Sequence, residues 1–174
     1  FILVGQAAEL PGIPPERVAD YIHAVIEADR TFYTIHVVER MQKQGGASAA
    51  ENWRAEKKTL PLPAQFLAEA SDLASKTGSH VRYRLISLWP INPQNGPQSE
   101  SEKKGLEDVR QHPERASTGT VTIGNQQYFQ AIYGDRAVSQ ACLGCHNAHP
   151  RSPKKDFKLD DVMGGIVIEI PLGR

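Results

Sequence analysis

Apolar residues recur at spacings of three and four between positions 14 and 44. They are Val18, Ile22, Val25 and Phe32, with His36 continuing the series and Asp29 interrupting it. This spacing predicts a helix with one inward stripe. Pro14, Pro15 and Glu16 suit its start, with proline in the first turn and an acid at the positive end of the dipole. Gly45-Gly46 suits its end. Roughly thirty residues is long for a globular helix, which leaves room for a break.

Residues 47–60 are small, polar and charged, and read as an irregular or weakly helical link. A second helix is expected over residues 64–76, with Phe66, Leu67, Ala70, Leu73 and Ala74 on one side and Gly78 after it. The texture then changes. Residues 81–89 begin with the alternation of a strand. Residues 90–97 contain three prolines and must be a loop. A short helix is expected over 100–112, and a hairpin over 119–123 and 126–133 around Gly124-Asn125. Residues 137–146 suit a helical turn, and residues 165–170 a closing strand. Helices followed by antiparallel-looking strands make an α+β protein, not an alternating βαβ one.

The length of 174 residues suits one domain over 1–174, mainly helical over 1–76 and sheet-forming over 77–174. Lys plus Arg number 20 and Asp plus Glu number 20, so no charge excess points to nucleic acid. No run of apolar residues is long enough to span a bilayer. Phe1-Ile2-Leu3-Val4 is too short for a signal-peptide core but fits the trimmed end of a removed leader or anchor.

Chemistry concentrates at one place. The two cysteines, Cys142 and Cys145, lie in Cys-Leu-Gly-Cys-His, with His146 last. Two thiols about one helical turn apart can each add to one vinyl group of a single porphyrin, and the next residue sets an imidazole under the iron. The expected cofactor is therefore one covalent haem c, with Cys142 and Cys145 as thioether ligands and His146 as proximal iron ligand. Two other readings compete. A redox dithiol belongs after a strand in a βαβ setting, which this chain lacks. A zinc site needs two more ligands, for which His146, His149 or His112 would serve.

At these residues the chain resembles the single-haem-c, PAS-like sensor-domain family of periplasmic and cyanobacterial proteins. Its members stand alone or precede histidine-kinase, chemoreceptor or cyclase domains. The matching runs are Asn92-Pro93-x-Asn95-x-Pro97, residues 128–133, Ala141 with the Cys-Leu-Gly-Cys-His run, His149-Pro150, and Asp161-Val-Met-Gly-Gly165 into the last strand. The resemblance implies a PAS-like antiparallel sheet flanked by long N-terminal helices, with haem held against the sheet. It also implies a periplasmic or thylakoid-lumen location, or the extracytoplasmic part of a membrane-anchored protein.

The second axial position decides what such an iron does. Candidates are His23, His36, His80, His112, His149, Met41 and Met163. His36 leads, because it continues the stripe read as inward; Met41 lies just over a turn later on the same helix. Haem propionates want cationic or hydroxyl donors. Arg82 and Arg84 share one strand face and are candidates, although a solvated strand face reads the same way. Lys154, Lys155 and Lys158 read as a solvent-facing basic turn. Trp89, Tyr128, Phe129 and Tyr133 can wall a porphyrin or serve as plain core aromatics. No histidine–arginine pairing suggests a peroxidase, so no enzyme activity is expected. The expected role is redox or gas sensing, with a diatomic gas, a redox partner or an output domain as partner. A small electron-transfer cytochrome is the alternative. The oligomeric state is not readable.

Overall fold

The computed structural model describes residues 12–173; the reading of Phe1-Ile2-Leu3-Val4 lies outside them. Helix α1 (Pro15–Phe32) starts with proline in its first turn, where a missing N–H costs nothing, and the Arg17 and Val18 amides donate to the Pro14 carbonyl. The long helix is not uniform. It loosens into a π-helical stretch, Tyr33–Glu39, before the short α2 (Arg40–Lys43). The next segment carries a two-residue parallel pair, β1 (Ser48–Ala49) and β2 (Thr59–Leu60), which had read only as a link. Helix α3 (Pro63–Ser75) follows.

The remaining elements are β3 (Arg82–Ile86), α4 (Glu100–Gln111), β4 (Ser117–Ile123), β5 (Gln126–Arg136), α5 (Gln140–Ala148) and β6 (Val162–Pro171). The four long strands form one antiparallel sheet in the order β3-β6-β5-β4. The β4–β5 hairpin turns at Gly124, whose φ of +65° is a conformation glycine adopts without a Cβ clash. Gly164 in β6 is required for a different reason: a Cβ there would meet the Ile86 carbonyl oxygen at 2.4 Å.

Strand alternation gives the sheet two unlike faces. Phe129, Ala131 and Tyr133 of β5 and Ile166, Ile168 and Ile170 of β6 face α1 and α3, where Ala19, Ile26 and Leu67 meet them. On the other face, Ile86, Ile132 and Val167 pack under Leu106 and Val109 of α4. A third cluster sits at one end of the sheet. It joins Ala137, Phe157 and Met163 to Trp89, Cys142 and Leu143. That end carries α5.

The stripe read from the sequence is only half correct. Val18 and Ile22 do pack on the core, but Val25 and Phe32 are each 61% exposed. The buried line runs instead through Ala19, Ile26, Arg30, Thr34 and Val38. The Arg30 guanidinium is buried because it grips Asp135 of β5 at 2.9 and 2.7 Å. Thr34 is buried because its hydroxyl donates back to the Arg30 carbonyl at 2.8 Å.

Candidate functional site

Helix α5 begins after Ser139 and ends where the His149 amide donates to the Cys145 carbonyl, with Pro150 beyond. Cys142 and Cys145 are three positions apart and His146 four from Cys142, so all three share one side of a short helix. The Ser139 hydroxyl lies 3.7 Å from the Cys142 sulfur. Both cysteines are free thiols; Cys142 is half-buried and Cys145 exposed.

An aromatic bed supports the helix. The His146 ring stands edge-on to Phe157, with centroids 5.9 Å apart, and Trp89 stands edge-on to the same ring at 5.7 Å. The Lys154 ammonium lies 4.9 Å from the centre of Phe157 and 5.6 Å from that of Trp89. Lys154 is therefore part of this bed and not of a solvent-facing turn. Phe157 is clamped to the helix by Asn147, which accepts from its amide at 3.0 Å and donates to its carbonyl at 2.9 Å. Arg151 reaches both carboxylate oxygens of Glu51 at 2.9 Å, which ties the exit of α5 to the segment between β1 and β2. His149 is held at the same place. Its Nδ1 accepts from the Arg151 amide, and its Nε2 lies 3.6 Å from Glu51.

His146 is poised differently. Its side chain forms no hydrogen bond with the described residues, and its Nδ1 is buried without a partner. Burial pushes its pKa down, and the Arg30 and His149 charges push the same way. The imidazole is therefore neutral at neutral pH, the form that binds a metal ion. Burial, then Glu51 and Cys142, push the Cys145 thiol up. The π-helical stretch approaches α5, and its buried residues are Thr34 and Val38. π-Turns inside helices frequently mark functional sites.

The structure gathers some of the expected residues and disperses others. Trp89 and Met163 join Cys142, Cys145 and His146 at α5. His36 does not. It is exposed on the outer side of the π-helical stretch, against the ring of Phe32 at 5.0 Å. The expectation that it faces inward is corrected: the buried line passes through Thr34 and Val38, about half a turn away. Tyr133 lies in the layer under α1, its hydroxyl donating to Asp20 at 2.9 Å and its ring stacked on His23 at 3.9 Å. Phe129 belongs to the same core layer. Arg82, Arg84 and Tyr128 are not at this site either. Arg84 pairs with Glu102 of α4, and Arg82 lies over the Tyr128 ring, both toward the opposite end of the sheet. Met41 packs against Gly46, and His80 and His112 are exposed.

Phe157, Asn147, Arg30 and Asp135 are the supporting residues that sequence reasoning missed. One signal was available: an Asp within the apolar run of β5 implies a buried cation nearby. The zinc reading loses its donors. Among the described residues no three His, Cys, Asp or Glu side chains gather as a metal site. The donor set at α5, two free thiols and an untethered neutral imidazole on one helix side, suits thioether attachment and a single axial ligand.

Across residues 15–171 the chain matches the sequence model of the Tll0287-like family. The chain belongs to this family. Its fold is similar to the crystal structure of the cyanobacterial heme-protein Tll0287, with a TM-score of 0.57 and 17% identity over 91% of this chain and 97% of that one. No curated protein matches it. The mixed helix and antiparallel-sheet architecture expected from the sequence is thus the architecture of this family.

Proposed function

We infer that this protein is a c-type haem domain, with one haem attached through Cys142 and Cys145 and held by His146. The observation that carries the reading is the arrangement on α5: two free thiols and a neutral, unpartnered imidazole on one side of a helix bedded on Phe157 and Trp89. The relative of similar fold is a heme-protein by its title. Haem bound here would supply a redox-active iron. Cys142 and Cys145 would fix it against dissociation, His146 would ligate it, and Phe157 would keep the imidazole plane in place.

The role we assign is sensory, in the periplasm or a comparable extracytoplasmic space, with a diatomic gas or redox state as signal and an output domain or redox partner downstream. Membership of the family supports this by analogy of fold. The outward position of His36 supports it from the site, because the buried residues of the stretch nearest α5 are Thr34 and Val38, neither a strong iron ligand. Electron transfer is the competing role, favoured by the exposure of Cys145, which places an attached porphyrin near the surface.

Absorption spectra of the oxidised and reduced protein, with and without carbon monoxide and nitric oxide, separate gas sensing from electron transfer. A gas sensor shows a shifted Soret band with either gas. A reduced spectrum indifferent to both contradicts gas sensing. Changing His36→Ala is expected to leave both spectra unaltered, and a lost low-spin spectrum would return His36 to the iron.

A further inference from the structure

Helix α1 has a second apolar face, turned away from the sheet. Val18, Tyr21, Val25, Ala28 and Phe32 follow one another at intervals of three, four, three and four. That is the a/d spacing of a helix–helix seam, with a period of 3.5 residues. The buried face of α1 carries Ala19, Ile26 and Arg30, on the other side of the helix. Tyr21 is 56% exposed, Val25 and Phe32 are 61% exposed, and Ala28 is exposed as well. Only Val18 turns partly onto the core. Val25 and Phe32, the residues that leave the buried stripe, thus belong to a stripe of their own.

Charge and period decide what this stripe fits. No charged residue lies in it. Four of the six charged residues of α1 are acids, and one of its two arginines, Arg30, is buried against Asp135. A helix that lies on a lipid surface carries lysine and arginine along its polar side, and α1 does not. A helix of another protein would have to match both the 3.5-residue period and the uncharged seam. A second copy matches both by identity, and a two-fold axis makes the contact self-complementary. Arg17 and Asp29 flank the stripe as single charges of opposite sign, so pairing brings no block of like charge together. The area suffices. With the stems beside them, the exposed parts of the five side chains offer on the order of 500 Å² per copy, or about 1,000 Å² in a pair, where specific interfaces begin.

We propose that this face of α1 is the contact for a second copy of the chain, the two α1 helices packing along the seam. A strict seven-residue repeat drifts by about 20° per heptad around a straight helix, and two helices that cross at about +20° keep such seams in register. The interface is small, so the dimer is reversible. The proposal does not depend on the haem reading, because no residue of the seam belongs to α5.

Sedimentation equilibrium of the purified full chain, at concentrations up to about 1 mM, tests this. A reversible rise from the mass of one chain to that of two is expected. Val25→Glu and Phe32→Glu place a charge at positions that are exposed in the single chain, so circular dichroism should not change. Each should raise the dimer Kd tenfold or more. Val25→Leu combined with Phe32→Leu keeps the seam apolar and should keep the dimer. A single chain at every concentration would overturn the proposal and leave the stripe to another occupant, such as residues 1–11. A dimer that both glutamate variants leave intact, or assembly beyond two copies, would overturn it too.

Discussion

The two ends of the sheet solve opposite problems. At the α5 end the floor is apolar and aromatic, built from Ala137, Phe157, Met163 and Trp89, and the reactive groups stand above it on a short helix. At the far end the floor itself is polar, with Glu169 and Gln130 buried in it and Arg84 beside them. The first arrangement suits a large ligand attached once and never released: orientation matters, and exchange does not. The second satisfies its charged groups within the fold, Glu169 bonded to Gln130 and Arg84 paired with Glu102.

The largest expected effect separates the two ends outright. The double change Cys142→Ala, Cys145→Ala should eliminate covalent haem, read as loss of haem staining on a denaturing gel, while the far end of the sheet keeps its fold. Haem that still resists denaturation would break the assignment of the α5 end.

Arg30→Ala is next. It leaves Asp135 buried without its bidentate partner, at a cost of about 3–5 kcal/mol in urea unfolding. Because this pair pins α1 to β5 under the α5 end, a change under 1 kcal/mol would show that the contact is not made.

Phe157→Ala removes the ring beneath His146 and Trp89 and should cost about 3 kcal/mol. The loss is read in urea unfolding. A change under 1 kcal/mol would show that the ring does not bed the helix.

The smallest effect is a pH dependence. Burial depresses the pKa of His23, which stacks on Tyr133; the charges of Glu27 and Asp20 oppose that shift only in part. The unfolded chain therefore takes up this proton first as the pH falls below about 6.5. Stability contributed by neutral His23 is full above that pH and is lost below it, with a slope of at most about 1.4 kcal/mol per pH unit. His23→Phe should flatten this part of the stability profile, measured by thermal unfolding from pH 5 to pH 8.

The parts of this fold that were legible in the sequence are those governed by local pattern. The hairpin at Gly124-Asn125, α4 and the closing strand follow from periodicity and turn chemistry over a few residues. The helical placement of the Cys-Leu-Gly-Cys-His run was legible because it spans little more than one turn. What was not legible depends on distant partners. Arg30 reads as a surface residue until Asp135, 105 positions away, meets it, and that meeting rotates the buried line of α1 away from Val25, Phe32 and His36. The π-helical stretch changes the phase of the stripe again, and no apolar period announces it. Arg82 and Arg84 do share a face, as period two requires, but alternation alone does not say which layer that face meets. The β1–β2 pair is two residues long on each side and leaves no periodic trace.

The most direct test is the intact mass of the protein after production in a host able to attach haem c. This account predicts the mass of the chain plus one haem, retained through denaturation and mapped to the peptide containing Cys142 and Cys145. A chain of unmodified mass from such a host, or both thiols occupied by zinc, would contradict it.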